Sequence, residues 1–105
     1  MKKIIGTGII REGLEISEEQ SAKTHAGAIK NINKINKETG DDWRLPTSKE
    51  LDLFVGMEGA TGHFLWTSTP YYSIGYYWVI EGLSTGNWYT YYYTNTNDYR
   101  CVRKV

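Results

Sequence analysis

The sequence predicts a single α+β domain, with two helices packed on small antiparallel sheets. Three observations carry that reading. Apolar residues recur at helical spacing in the first half. Aromatic and polar residues alternate at strand spacing in the second. The chain, at 105 residues, suits one core, since a domain of this size buries roughly two-thirds of the surface its unfolded chain exposes. Lys plus Arg number 12 and Asp plus Glu 12. A net charge of zero speaks against a nucleic-acid-binding protein, which needs a basic excess. A lone cysteine excludes an internal disulfide and a cysteine-based zinc site. No stretch approaches the roughly 20 apolar residues of a membrane span.

Lys3 to Ile10 reads as the first strand. Met1-Lys2-Lys3 followed by Ile4 to Ile10 is not read as an export signal. The apolar run holds two glycines, stops at Arg11-Glu12 and precedes no small-residue cleavage site. Ser17-Glu18-Glu19-Gln20 has the pattern of a capping box, whose carboxylates suit the positive end of a helix dipole. Ala22, Ala26, Ile29, Ile32 and Ile35 follow at helical spacing, and Gly40 closes the helix. Pro46 keeps Trp43 to Leu45 extended. Thr47-Ser48-Lys49-Glu50 is a second capping box, opening a short helix through Leu51, Phe54 and Val55. Strands are expected at Phe64–Thr69, Tyr76–Glu81, Trp88–Thr94 and Tyr99–Val105. A glycine-bracketed turn at 82–87 and a polar turn at 95–98 separate the last three.

Asp42-Trp43-Arg44-Leu45-Pro46-Thr47-Ser48-Lys49-Glu50-Leu51 resembles the DWRLPTxxEL signature of the Lcl C-terminal domain family. Leu65-Trp66-Thr67-Ser68-Thr69 is similar to that family's YWSST segment, with Leu for Tyr and Thr for the first Ser. Tyr77-Trp78-Val79-Ile80 followed by Ser84-Thr85-Gly86 resembles its AWxVxFxxG hairpin, and Arg100-Cys101-Val102-Arg103 its closing RCVR. The motifs keep the family's order from about residue 14 to the end. The resemblance implies a C-type-lectin-like fold in which the N- and C-terminal strands pair. It also implies a loop-rich ligand surface of the kind secreted or surface binding modules carry. The absence of a recognisable export signal departs from that habit and points to a cytoplasmic or virion-associated protein. Clustered Tyr, Asn, Ser and Thr in the last third also resemble the variable proteins of diversity-generating retroelements. A phage-encoded binder is compatible with both.

Catalytic chemistry finds little footing. Cys101 lies in a strand and reads as a small core residue, and formylglycine-generating enzymes of this fold need two cysteines. His25 and His63 have no sequence-adjacent nucleophile with an activation motif. Asp41-Asp42 and Asn95, Asn97 and Asp98 offer oxygen ligands for Ca²⁺, but the second group reads as an ordinary turn. No catalytic residue, metal or cofactor is expected.

The informative feature is aromatic. Tyr occurs 9 times and Trp 4 times, all at or after Trp43. From Phe64 to Asn97 the only Asp, Glu, Lys or Arg is Glu81. In 88–94 aromatics fall on both faces of one strand, so one set is surplus to the core. Tyr, Trp, Ser, Asn and Gly without charge is the composition of a paratope. The expected binding face comprises Tyr71, Tyr72, Tyr76, Asn87, Trp88, Tyr89, Tyr91, Tyr93, Asn95 and Asn97. Its partner would be a protein or glycan, or a second copy of the chain. Trp43, Leu45, Leu51, Phe54, Trp66, Trp78, Cys101 and Val102 are expected in the core, with Ile29 and Ile32 packing the long helix.

Overall fold

A computed structural model describes residues 3–60 and 62–105. Met1 and Lys2, the start of the segment weighed above as an export signal, lie outside the described residues. The chain begins with a hairpin. β1 (Gly6–Arg11) and β2 (Leu14–Ser17) pair antiparallel. Their two-residue loop is Glu12-Gly13, with φ of 50° and 78°, the left-handed pair that a tight hairpin demands.

β2 then pairs with β8 (Val102–Lys104), giving a sheet of order β1-β2-β8. The expected contact between Ile4–Ile10 and the final strand is therefore replaced. The two ends share a sheet, but β2 stands between them. The cause is local: the tight turn returns the chain at once, and the returning strand takes the edge that the C-terminus would have used.

Ser17-Glu18-Glu19-Gln20 opens no helix. The Ser17 hydroxyl accepts the Cys101 N–H at 2.7 Å and donates to the Glu18 carbonyl at 2.8 Å. Residues Gln20–Lys23 instead form β3 against β7 (Asn97–Tyr99). Tertiary pairing has overridden a local helix signal. α1 (His25–Thr39) starts at Thr24, whose Oγ1 accepts the Gly27 N–H, and ends at Gly40 in the left-handed region. The helix buries His25, Ala28, Ile32 and Ile35. That face is rotated from the expected one, leaving Ala26 outside and Ile29 40% exposed. The second capping box forms as expected. Thr47 and Glu50 exchange side-chain-to-backbone hydrogen bonds at the start of α2 (Ser48–Asp52).

The aromatic half builds β4 (Phe64–Pro70), β5 (Tyr76–Glu81) and β6 (Asn87–Tyr92). A short helical turn, α3 (Gly82–Thr85), joins β5 to β6, so there are three helices among the described residues rather than two. The larger sheet has the order β3-β7-β4-β5-β6, and because β4 and β7 run parallel it is mixed rather than antiparallel as expected. The expected closing strand Tyr99–Val105 is split, because Arg100-Cys101 carries the chain from one sheet to the other.

Alternation along β4 and β5 divides the core. Trp66 and Val79 face α1 together with Ile32, Ile35, Trp43, Leu45 and Cys101. Leu65 and Ile80 face α2 and the smaller sheet, packing with Ile16, Leu51, Phe54, Leu83 and Val102. Every residue expected in the core is buried except Ile29 and Trp78, the latter half-buried. Trp78 is covered by Tyr71 and Trp88, edge-to-face at 5.1 and 6.5 Å, instead of by the core. No helix among the described residues is long and apolar enough to cross a membrane.

Candidate functional site: an aromatic tip and a carboxylate–histidine cluster

The β5–β6 register sets where the rings go. Tyr76 opposes Tyr92, Tyr77 opposes Tyr91, Trp78 opposes Thr90, and Ile80 opposes Trp88. Side chains at opposed positions share a face. On the α2 side, Trp88 packs partly into the core and against Trp78. On the α1 side, Tyr89 and Tyr91 meet Phe64 edge-to-face at 5.7 and 5.3 Å. The Tyr89 hydroxyl engages the Glu81 carboxylate, which pushes its pKa up.

The expected single face is thus distributed over two faces and a tip. Asn97 does not reach the surface: it is buried in β7 opposite Lys23. Tyr91 and Trp88 are half-buried, and Tyr71 lies on Trp78. Tyr72, Tyr76, Asn87, Tyr89, Tyr93 and Asn95 are exposed.

The exposed rings concentrate where β4, β5 and β6 end. Tyr72 is 89% and Ile74 97% exposed. Tyr76 and Tyr92 meet at 5.3 Å, and Tyr92 and Tyr93 at 4.6 Å. The Tyr93 N–H donates to the Gly75 carbonyl at 2.7 Å, which ties the 71–76 loop to the end of β6. Tyr92 and Ile74 were not among the residues expected in the binding face. Tyr92 shares a face with the half-buried Trp88, but the covering layer of α2 and the small sheet does not reach the far end of the strand. Loop length between β4 and β5 was the only available signal for Ile74.

His25 and Cys101 are both buried. His25 is buried and stacked on Tyr77 at 3.6 Å, with Nε2 at 2.9 Å from the Thr67 carbonyl oxygen. Burial lowers its pKa, so the ring is neutral near pH 7. Cys101 is fully buried, and desolvation pushes its thiol up to about 12. Such a thiol is a poor nucleophile.

A second assembly was invisible in the sequence. His63 Nδ1 lies 2.5 Å from Glu19 Oε2 and 2.9 Å from Asp98 Oδ2. The three residues come from the β2–β3 bend, the loop before β4, and β7. The Glu19 hydrogen bond, then its charge, raises the His63 pKa. Desolvation, then Glu19, raises that of Asp98. The charge density follows from pairing β3, β4 and β7, whose sequence separations conceal it.

No protein-family model matches the chain, and no curated protein matches it either.

Proposed function

We propose that the chain is a non-catalytic recognition module with a C-type-lectin-like fold, binding a protein or glycan ligand through its aromatic tip. The observation that carries this reading is the exposed, uncharged group formed by Tyr72, Ile74, Tyr76, Tyr92 and Tyr93. Contiguous exposed apolar patches mark interaction surfaces. Tyrosines supply rigid amphipathic contact area at low entropic cost. The buried states of Cys101 and His25 agree with a binding rather than a catalytic role. The motif resemblance to Lcl-type and retroelement-diversified domains is compatible with the same surface.

A second reading has its own support. β6 is an edge of the five-stranded sheet and carries no charge or proline, the usual guards against edge pairing. In that reading the chain is an assembly component that uses this end of the sheet as a subunit interface.

The double variant Tyr76→Ala/Tyr93→Ala separates these roles from a core role. Exposed substitutions cost within about 0.5 kcal/mol each, so the melting curve should be nearly unchanged. Loss of partner binding in a pull-down supports recognition, since hot spots of this type cost about 2 kcal/mol or more. Conversion of an oligomer to a monomer by light scattering supports assembly. An unfolded double variant sinks both.

A further inference from the structure

We propose that Glu19, His63 and Asp98 form a binding site for a Zn²⁺-class divalent cation. The proposal is independent of the aromatic tip. Their ligand atoms, one imidazole nitrogen and two carboxylate oxygens, all lie within 4.8 Å of one another. A tetrahedral ion with bonds near 2.0–2.2 Å needs donors about 3.3–3.6 Å apart. Small side-chain rotations from the present 2.5 and 2.9 Å separations reach that spacing. A proton on His63 Nδ1 bridges the two carboxylates at the place that the ion would take.

Two neighbouring groups have nitrogens without a hydrogen-bond partner among the described residues. Asn97 is nine-tenths buried, and its Nδ2 has no hydrogen-bond partner among the described residues. It lines, with His63, Asp98, Gly62 and Thr96, a cleft of about 310 Å³. Asn97 and Asp98 are adjacent in β7, so their side chains leave opposite faces of the sheet and this amide takes no part in the cluster. Arg100 is 6% exposed, and its Nε is likewise without a hydrogen bond, 4.0 Å from Glu19 Oε1. A carboxylate with one oxygen toward a buried cationic group and the other on the metal is an ordinary outer-shell arrangement. Asp98 is steadied in the same way by the Ala22 N–H.

The donor set selects the ion. An imidazole with two carboxylates suits Zn²⁺ or a similar first-row ion over Mg²⁺ or Ca²⁺, which prefer oxygen alone. Three protein ligands leave at least one position open toward the cleft, as in sites that also bind an exchangeable ligand. Glu18 and Glu58 line the adjoining cleft with Glu19 and offset the charge of Arg100.

The test is calorimetric titration of the EDTA-stripped chain with ZnCl₂, followed by NMR of the two histidine rings. One equivalent of Zn²⁺ should bind, and the His63 resonances should shift while those of His25 stay put. His63→Gln, whose side-chain amide can still donate to the carboxylates, should weaken binding at least tenfold, with its melting curve recorded to show that the chain is folded. Asp98→Asn should do the same. Absence of binding heat, or undiminished affinity in a folded His63→Gln chain, overturns the site.

Discussion

Trp66 is wholly buried on the α1 side of the sheet, edge-to-face with His25 at 5.3 Å and with Tyr77 at 6.4 Å, and its indole N–H donates to the Lys23 carbonyl at 2.8 Å. Trp66→Ala removes the ring and leaves that carbonyl without its donor. A loss of about 3–5 kcal/mol is expected, read as a lowered urea midpoint; an unchanged midpoint contradicts the packing. Arg44 shows the opposite balance. It projects away from Trp43 and Leu45 and pairs with Glu50 through two contacts, at 2.6 and 2.7 Å. The Arg44 hydrogen bond is the main cause holding the Glu50 pKa down at about 2, against 4.5 for a free group. A lowered carboxylate pKa stabilises the fold above the unfolded value and is lost as the carboxylate protonates. The contribution is therefore whole above about pH 4.5 and disappears as pH falls toward 2. Both partners are partly exposed, and solvent screening keeps it small. Glu50→Gln should be less stable than the parent at pH 6, and the two denaturation curves should converge near pH 2. A gap that persists at pH 2 would show that the effect is capping rather than charge.

At the scale of elements, the β4–β5 connection decides the shape of the tip. Gly75 has φ of 86°, and a Cβ added there would stand 2.7 Å from Tyr92 Cε1 and 3.1 Å from Tyr93 Cδ1. Gly75→Ala therefore combines backbone strain with a clash against the two rings at the centre of the patch. About 1 kcal/mol or more of destabilisation is expected from a left-handed alanine. The near-ultraviolet tyrosine signal should change as the rings move. A variant with parent stability and an unchanged aromatic spectrum would mean that the loop does not hold the rings.

For the molecule as a whole, the chain's ends are stitched together late in sequence. The Cys101 N–H reaches Ser17 across 84 residues, and Arg103 reaches Glu15 across 88. Both sheets contain strands from the first quarter and the last tenth of the chain. Loop-closure entropy must be met before such pairings repay it, which slows folding. Refolding on the scale of ~10 milliseconds to seconds is expected for this topology. Stopped-flow tryptophan fluorescence measures it directly. Microsecond refolding would mean that local hairpins and α1 dominate the barrier.

Much of the fold was legible in residue pattern alone. Thr47 and Glu50 cap α2 because both partners lie three residues apart. Gly40 ends α1 because a left-handed residue there needs no distant neighbour. Trp43-Arg44-Leu45 alternates because Pro46 forces extension. The aromatic surplus of 88–94 was also a local fact, and Tyr89 and Tyr93 are indeed exposed. The tertiary structure decided what depends on partners far along the chain. Ser17 resembles a cap, yet its hydroxyl is taken by Cys101, and β7 claims residues 20–23 as a strand. Ile4–Ile10 and the last strand do not pair, because β2 stands between them in the sheet. Trp88 and Tyr92 have the same strand parity, yet only Trp88 lies beneath the second layer. Glu19, His63 and Asp98 carry no motif in sequence. Three strands brought side by side make them neighbours, and proximity in space is what turns scattered donors into a site.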